Sequence, residues 1–196
     1  MNYVYVPYAD KEMDNFAFSL VNEKNKVNKF FGRHKLINRD NFGTPLSVVG
    51  WNDRLYTMAH GSGTHCGVCV NTNPRKDENK YVTGEDFAKL LVKLGLKNTG
   101  LDVRLWTCWG GKSGNDAWQG PIGNLEHSLS SFTLRVACGF KELGYKKITV
   151  VGYRKLVNIS GLNLQNHQGH KVLQDEEDNF SLVTDEDKVR YQVSAM

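Results

Sequence analysis

Leu55-Tyr-Thr-Met-Ala-His-Gly61 and Leu105-Trp-Thr-Cys-Trp-Gly-Gly111 repeat one pattern. In each, an apolar run of strand formers leads to a residue capable of chemistry, with glycine close behind. Between them lies a helical pattern. Thr83 with Asp86 reads as a helix start, Phe87, Leu90, Leu91 and Leu94 share one face, and Gly95 is the stop. A strand, a crossover helix and a second strand make parallel neighbours whose carboxyl ends share one edge of a sheet. The two runs therefore predict an α/β domain that brings His60 and Cys108 to the same rim.

The flanking sequence extends the sheet. Met1 to Tyr8 is rich in strand formers, and Asp10 to about Val27 carries Met13, Phe16, Ala17, Leu20 and Val21 at helical spacing. The stretch from there to Gly43 reads as polar and irregular. Leu46–Gly50 and Leu55–Ala59 read as a hairpin or two neighbouring strands, and Gly61 to Val82 as a long glycine-rich loop. Leu101, Val103 and Leu105 alternate in the strand that leads to Cys108, and a second glycine-rich loop follows from Gly110 to Gly123. Leu129, Phe132, Val136, Phe140 and Leu143 then mark another helix, stopped by Gly144. Lys147–Tyr153 is a further strand, and the tail from His170 suits a hairpin around the acidic turn Asp175–Asp178. The expected architecture is one domain over residues 1–196, a mostly parallel central sheet flanked by helices.

With 196 residues the chain is large enough for one full core, and its 40% hydrophobic and 23% charged content is ordinary for a globular protein. A net charge of +4, with basic residues dispersed, argues against nucleic acid as a partner. No apolar stretch reaches the roughly 18 residues of a membrane span. Met1 to Tyr8 lacks the layout of a secretory signal. Four cysteines do not make a disulfide scaffold, so the expected setting is a reducing compartment, the cytoplasm or a host cell reached without a cleaved signal. The Asn158-Ile-Ser160 glycosylation pattern is then a chance match.

A thiol attacks a carbonyl carbon as its thiolate, and an imidazole can take the thiol proton and later deliver it to a leaving amine. Backbone N–H groups must receive the developing oxyanion, which favours small residues around base and nucleophile. Gly61 after His60 and Gly110-Gly111 after Cys108 meet that need. Trp106, Trp109 and Trp118 around the nucleophile suit a substrate cleft or, for Trp106, core packing.

These motifs resemble the caspase-type cysteine peptidases. Within that group the length and downstream order look most like the autoprocessing cysteine protease domains of large bacterial toxins. The resemblance runs from about Leu46 to Val193, and its specific part is the two short motifs. It implies a caspase-like fold with a C-terminal β-hairpin flap, His60 as general base and Cys108 as nucleophile. It also implies an oxyanion hole from the backbone N–H groups of Gly61 and Cys108. The substrate would be a protein or peptide, cut in trans, in the manner of an effector or toxin-like protease. Some relatives orient the histidine with a carboxylate; Asp14, Asp40 and Asp53 are candidates, and no third member is assigned. The toxin domains are activated by inositol hexakisphosphate, for which Lys146, Lys147, Arg154, Lys155, Lys171, Lys188 and Arg190 are candidate contacts. No metal or redox cofactor is implied, and the oligomeric state stays open.

Other readings use the same residues. His60, His65, Cys66 and Cys69 include a C-x-x-C pair that suits structural zinc, or less well a redox site. A deamidase or transglutaminase-like effector would also need Cys and His, and a catalytically idle chain would serve as an interaction module.

Overall fold

The computed structural model describes residues 1–27, 33–39, 43–62, 67–76, 78–107, 130–154, 156–159, 171–174 and 180–196. Six strands form the central sheet: β1 (Asn2–Tyr5), β2 (His34–Ile37), β3 (Arg54–Met58), β7 (Leu101–Trp106), β8 (Ile148–Tyr153) and β12 (Lys188–Gln192). Their order is β12-β8-β7-β3-β1-β2, and every pairing is parallel except that of β12 with β8.

A parallel sheet buries both faces, and here alternate residues of each strand serve opposite cores. Tyr5, Leu55, Val103, Leu105, Ile148 and Val150 face helices α2 (Gly84–Lys93) and α3 (Phe132–Glu142), meeting Phe87, Leu91, Phe132, Val136 and Phe140. Val4, Val6, Tyr56, Met58, Trp106 and Tyr153 face α1 (Lys11–Val27), meeting Ala17 and Leu20. Each fully buried large apolar side chain stabilises the fold by about 1.5–3 kcal/mol. Trp106 belongs to this packing, with Phe16 and Tyr56 against its ring.

Both helices on the larger core are capped by a hydroxyl. The Thr83 hydroxyl accepts from Asp86 N and the Ser131 hydroxyl from Leu134 N, each at 3.2 Å. Gly95 ends α2 with φ +92°, a conformation that suits glycine. α2 and α3 approach closely because Gly139 has no side chain: a Cβ there would lie 2.8 Å from Glu85 Cα and 2.9 Å from Ala88 Cβ. Arg135 on α3 also clamps Glu85 on α2, with Nε 3.0 and 2.9 Å from its two oxygens.

Three local expectations need correction, and the reading of the tail needs extending. The run Leu46–Gly50 is not a strand: Pro45 opens a 3-10 turn, Pro45–Val48, that buries Leu46. Proline lacks the N–H that a ladder needs, and the Leu46 N–H goes to Leu94 O at 2.9 Å. The stretch before Gly43 is not wholly irregular, because it supplies β2. Four residues of a polar edge strand leave no periodic signal. The segment Gly61–Val82 is not all loop: β4 (His60–Gly61), β5 (Val68–Val70) and β6 (Tyr81–Thr83) form a small antiparallel sheet. The tail contributes β12 to the central sheet, where Val189 and Tyr191 alternate with charged or polar residues. Before it in the chain, β9 (Leu156–Ile159), β10 (Lys171–Gln174) and β11 (Phe180–Leu182) make a separate antiparallel sheet, in which β10 and β11 pair as expected of a hairpin, Gln174 opposite Phe180.

Gly139→Leu should strain the α2–α3 contact and lower unfolding stability by about 1–3 kcal/mol. Urea denaturation checks this, and an unchanged midpoint would mean that the helices do not pack as described.

Candidate active site

β3 and β7 pair from Arg54 with Asp102 to Met58 with Trp106. His60 follows Met58 by two residues, and in the chain Cys108 follows Trp106 by two. The junction is held by Ala59 N donating to Trp106 O at 3.3 Å. Cys108, Trp109 and Trp118 lie outside the described residues. The last described residue before the cysteine, Thr107, is buried and its hydroxyl has no hydrogen-bond partner among the described residues.

His60 stands where β3 passes into β4, opposite Val70, and Gly61 stands opposite Cys69. The imidazole is 29% exposed, so its ring can meet a substrate while one nitrogen is held from within. The holder is Asp10. His60 Nε2 lies 3.1 Å from Asp10 Oδ2, and the more exposed Glu12 carboxylate lies at 3.7 Å. With Nε2–H directed at a carboxylate, Nδ1 is the nitrogen left to act as base.

Asp10 is fixed by its own position in the chain. It caps the amino end of α1: Oδ1 accepts from Glu12 N at 2.9 Å and from Met13 N at 3.0 Å. Oδ2 accepts from the Thr72 hydroxyl, on the far side of β5. Burial pushes the Asp10 carboxyl up, but the Thr72 and Met13 donors, the His60 imidazole and the Glu12 N–H together hold it below the ordinary value of 3.8. The positive end of the α1 dipole favours the same charge.

Of the carboxylates considered from sequence, the two that are described, Asp14 and Asp53, have other partners. Asp14 pairs with Arg39, whose Nη1 lies 3.0 Å from Oδ1 and Nη2 3.1 Å from Oδ2. Asp53 binds the N-terminal ammonium at 2.6 Å and Gly50 N at 2.8 Å. Asp40 lies outside the described residues. Asp10 escapes sequence reasoning because it has the look of an ordinary helix cap. The available signal is its place just after β1, at the same edge of the sheet as His60.

The described cysteines are poor nucleophiles. Cys69 is buried beneath Tyr8, its thiol donating to the Tyr8 hydroxyl at 4.0 Å, and burial pushes it up to about 12. Burial, with Glu85 and Glu142 nearby, also raises the Cys138 thiol. His65 and Cys66 of the zinc reading lie outside the described residues. Among the described residues no group of three or more His, Cys, Asp or Glu side chains could hold a metal ion.

Comparison with known proteins finds no family model and no curated sequence that matches this chain. The site therefore rests on its own chemistry.

The expected basic cluster is divided. Lys146 and Lys147 precede β8, whereas Arg154 follows it, so six strand residues separate them, roughly 20 Å at a strand's rise. Lys188 and Arg190 lie on β12 and pair with Asp185 at 2.8 and 3.6 Å. Lys155 lies outside the described residues. No helix among the described residues is long and apolar enough to cross a membrane.

Because the Asp10 carboxyl is depressed, its contribution to stability is complete above about pH 4 and is lost as acid protonates it. Asp10→Asn keeps a good cap but removes the charge. The variant should be less stable than the wild type at pH 7 and lose less stability on going to pH 3. Urea midpoints at the two pH values test this, and equal acid losses would refute it.

Proposed function

We propose that the chain is a cysteine endopeptidase of caspase-like type, with Cys108 as nucleophile, His60 as general base and Asp10 as the residue that orients the imidazole. One observation carries this reading: a histidine held by a capping, charged aspartate at the end of the strand beside the one that leads to Cys108. The mostly parallel sheet and the separate β9–β11 sheet, which follows β8 in the chain as a flap would, add to it.

His60 Nδ1 takes the thiol proton as Cys108 sulfur bonds to the peptide carbonyl carbon. The carbonyl oxygen becomes an oxyanion, received by the backbone N–H groups of Gly61 and Cys108. Collapse breaks the C–N bond, and the imidazolium passes its proton to the leaving amine. Water then attacks the thioester, giving its proton to His60, and the acid leaves as Cys108 regains a proton. Asp10 stays ionised throughout and stabilises the imidazolium. The substrate is protein or peptide, and the setting is that of a bacterial effector or toxin-like protease acting inside a host cell.

Exposure of a cell lysate to the wild type should generate new peptide N-termini, and Cys108→Ala should generate none. Persistent cleavage by the alanine variant would exclude this nucleophile, and one-dalton shifts without new termini would indicate a deamidase. His60→Ala should lower the cleavage rate by about 10²-fold or more. Asp10→Asn, which keeps the cap, should lower it by about 10- to 10⁴-fold.

Inositol hexakisphosphate activation forms part of this reading through Arg154, Lys188 and Arg190, at the end of β8 and on β12. Adding the polyphosphate should raise the melting temperature of the wild type more than that of Lys188→Glu/Arg190→Glu. Equal shifts would remove this group as the contact.

A further inference from the structure

Next to Asp10 in the chain, at the turn after β1, Ala9 helps to line a cleft of about 530 Å³, within the usual range for a ligand site. Tyr5, Tyr8, Leu90 and Leu94 give it an apolar floor, and Arg39 and Arg75 stand among its walls. The two arginines differ. Arg39 is committed to the Asp14 carboxylate and to Tyr8 O, at 2.5 Å, and so ties the end of β2 to the turn after β1. The exposed Arg75 guanidinium pairs with no acid among the described residues. Glu78, on the same wall, turns its Oε2 to Asn71 Nδ2 at 3.0 Å and to the Arg75 backbone N at 3.2 Å rather than to the guanidinium.

The cleft shares its walls with the machinery that holds His60. Tyr8 and Ala9 lead directly into Asp10, and Asn73 follows Thr72, which donates to the same carboxylate. Asp10, 3.1 Å from the imidazole, is therefore the residue next in the chain to the cleft wall at Ala9. The direction follows from the chemistry of the cut. The imidazole hands its proton to the leaving amine, so the departing half of the substrate lies on the His60 side of the site. Past His60 on β3 come β1 and β2, where the cleft lies.

We propose that this cleft receives the side chain of the second or third substrate residue after the scissile bond, and that it selects a glutamate. The aliphatic stem packs on Leu90 and Leu94 and the carboxylate meets Arg75. This inference rests on the peptidase reading for its direction, but the pocket binds peptide without chemistry.

The test uses the full chain carrying Cys108→Ala, with tetrapeptide amides that mimic the departing half: Ala-Glu-Ala-Ala and Ala-Ala-Glu-Ala, with their lysine counterparts. In NMR titrations at least one glutamate peptide should bind about two- to fivefold more tightly than its lysine partner, the range of one exposed ion pair. Arg75→Glu, on an exposed loop, should reverse that order, and Leu90→Trp, which fills the floor, should weaken both peptides. Thermal melts confirm that each variant is folded. Absence of binding, or a preference that Arg75→Glu leaves intact, would overturn the proposal. If the glutamate preference holds while lysate exposure yields no new termini, the peptidase reading fails and the pocket stands as a peptide site. If cleavage occurs with no preference that depends on Arg75, the pocket assignment alone fails.

Discussion

The side-by-side parallel pairing of β3 with β7 is the constraint on which the site depends. Five residue pairs, from Arg54 with Asp102 to Met58 with Trp106, hold these strands in register. They run in the same direction, so both end at the same edge of the sheet. Burial on both faces keeps that register: Leu55 and Leu105 are inaccessible on the α2–α3 side, and Met58 and Trp106 are nearly so on the α1 side. A slip of one residue in either strand would send its side chains into the opposite core, where the packing does not fit them.

A second constraint comes from β1. This strand lies on the other side of β3, also parallel, and places the turn Val6–Asp10 at the same edge. Asp10 then serves two structures with its two oxygens. One satisfies the first free N–H groups of α1, and the other faces His60 and the Thr72 hydroxyl. Capping thus supplies a fixed, ionised carboxylate with no additional residue. The helix cannot rotate relative to β1 without disturbing the imidazole, because one side chain belongs to both.

The small β4–β6 sheet has a similar dual use. Its pairing fixes the backbone on both sides of His60 and Gly61, and its β5 strand buries Cys69. It also positions Thr72 and the loop that carries Arg75 and Glu78. The segment that lines the cleft is therefore the same one that steadies the His60 imidazole. Glycine at position 67, with φ +76°, permits the turn into β5 and the close approach of Arg135 and Ser130.

Local signals in the chain were enough to identify the helix that starts after Thr83, its stop at Gly95, the helix marked by Phe132, Val136 and Phe140, and the strands that lead toward His60 and Cys108. Each depends on side-chain periodicity or on one residue's backbone preference, which adjacent residues settle among themselves. They also singled out His60, which the structure sets 3.1 Å from Asp10. The edge strands β2 and β12, the turn at Pro45 and the β4–β6 sheet became visible only in three dimensions. Their hydrogen bonds depend on which partner strand is adjacent, and strands this short seldom carry a period of their own. The partner of His60 is the clearest case. Asp10 lies far from it in the chain and looks like a routine cap; only the packing of β1 against β3 makes it the neighbour of an imidazole.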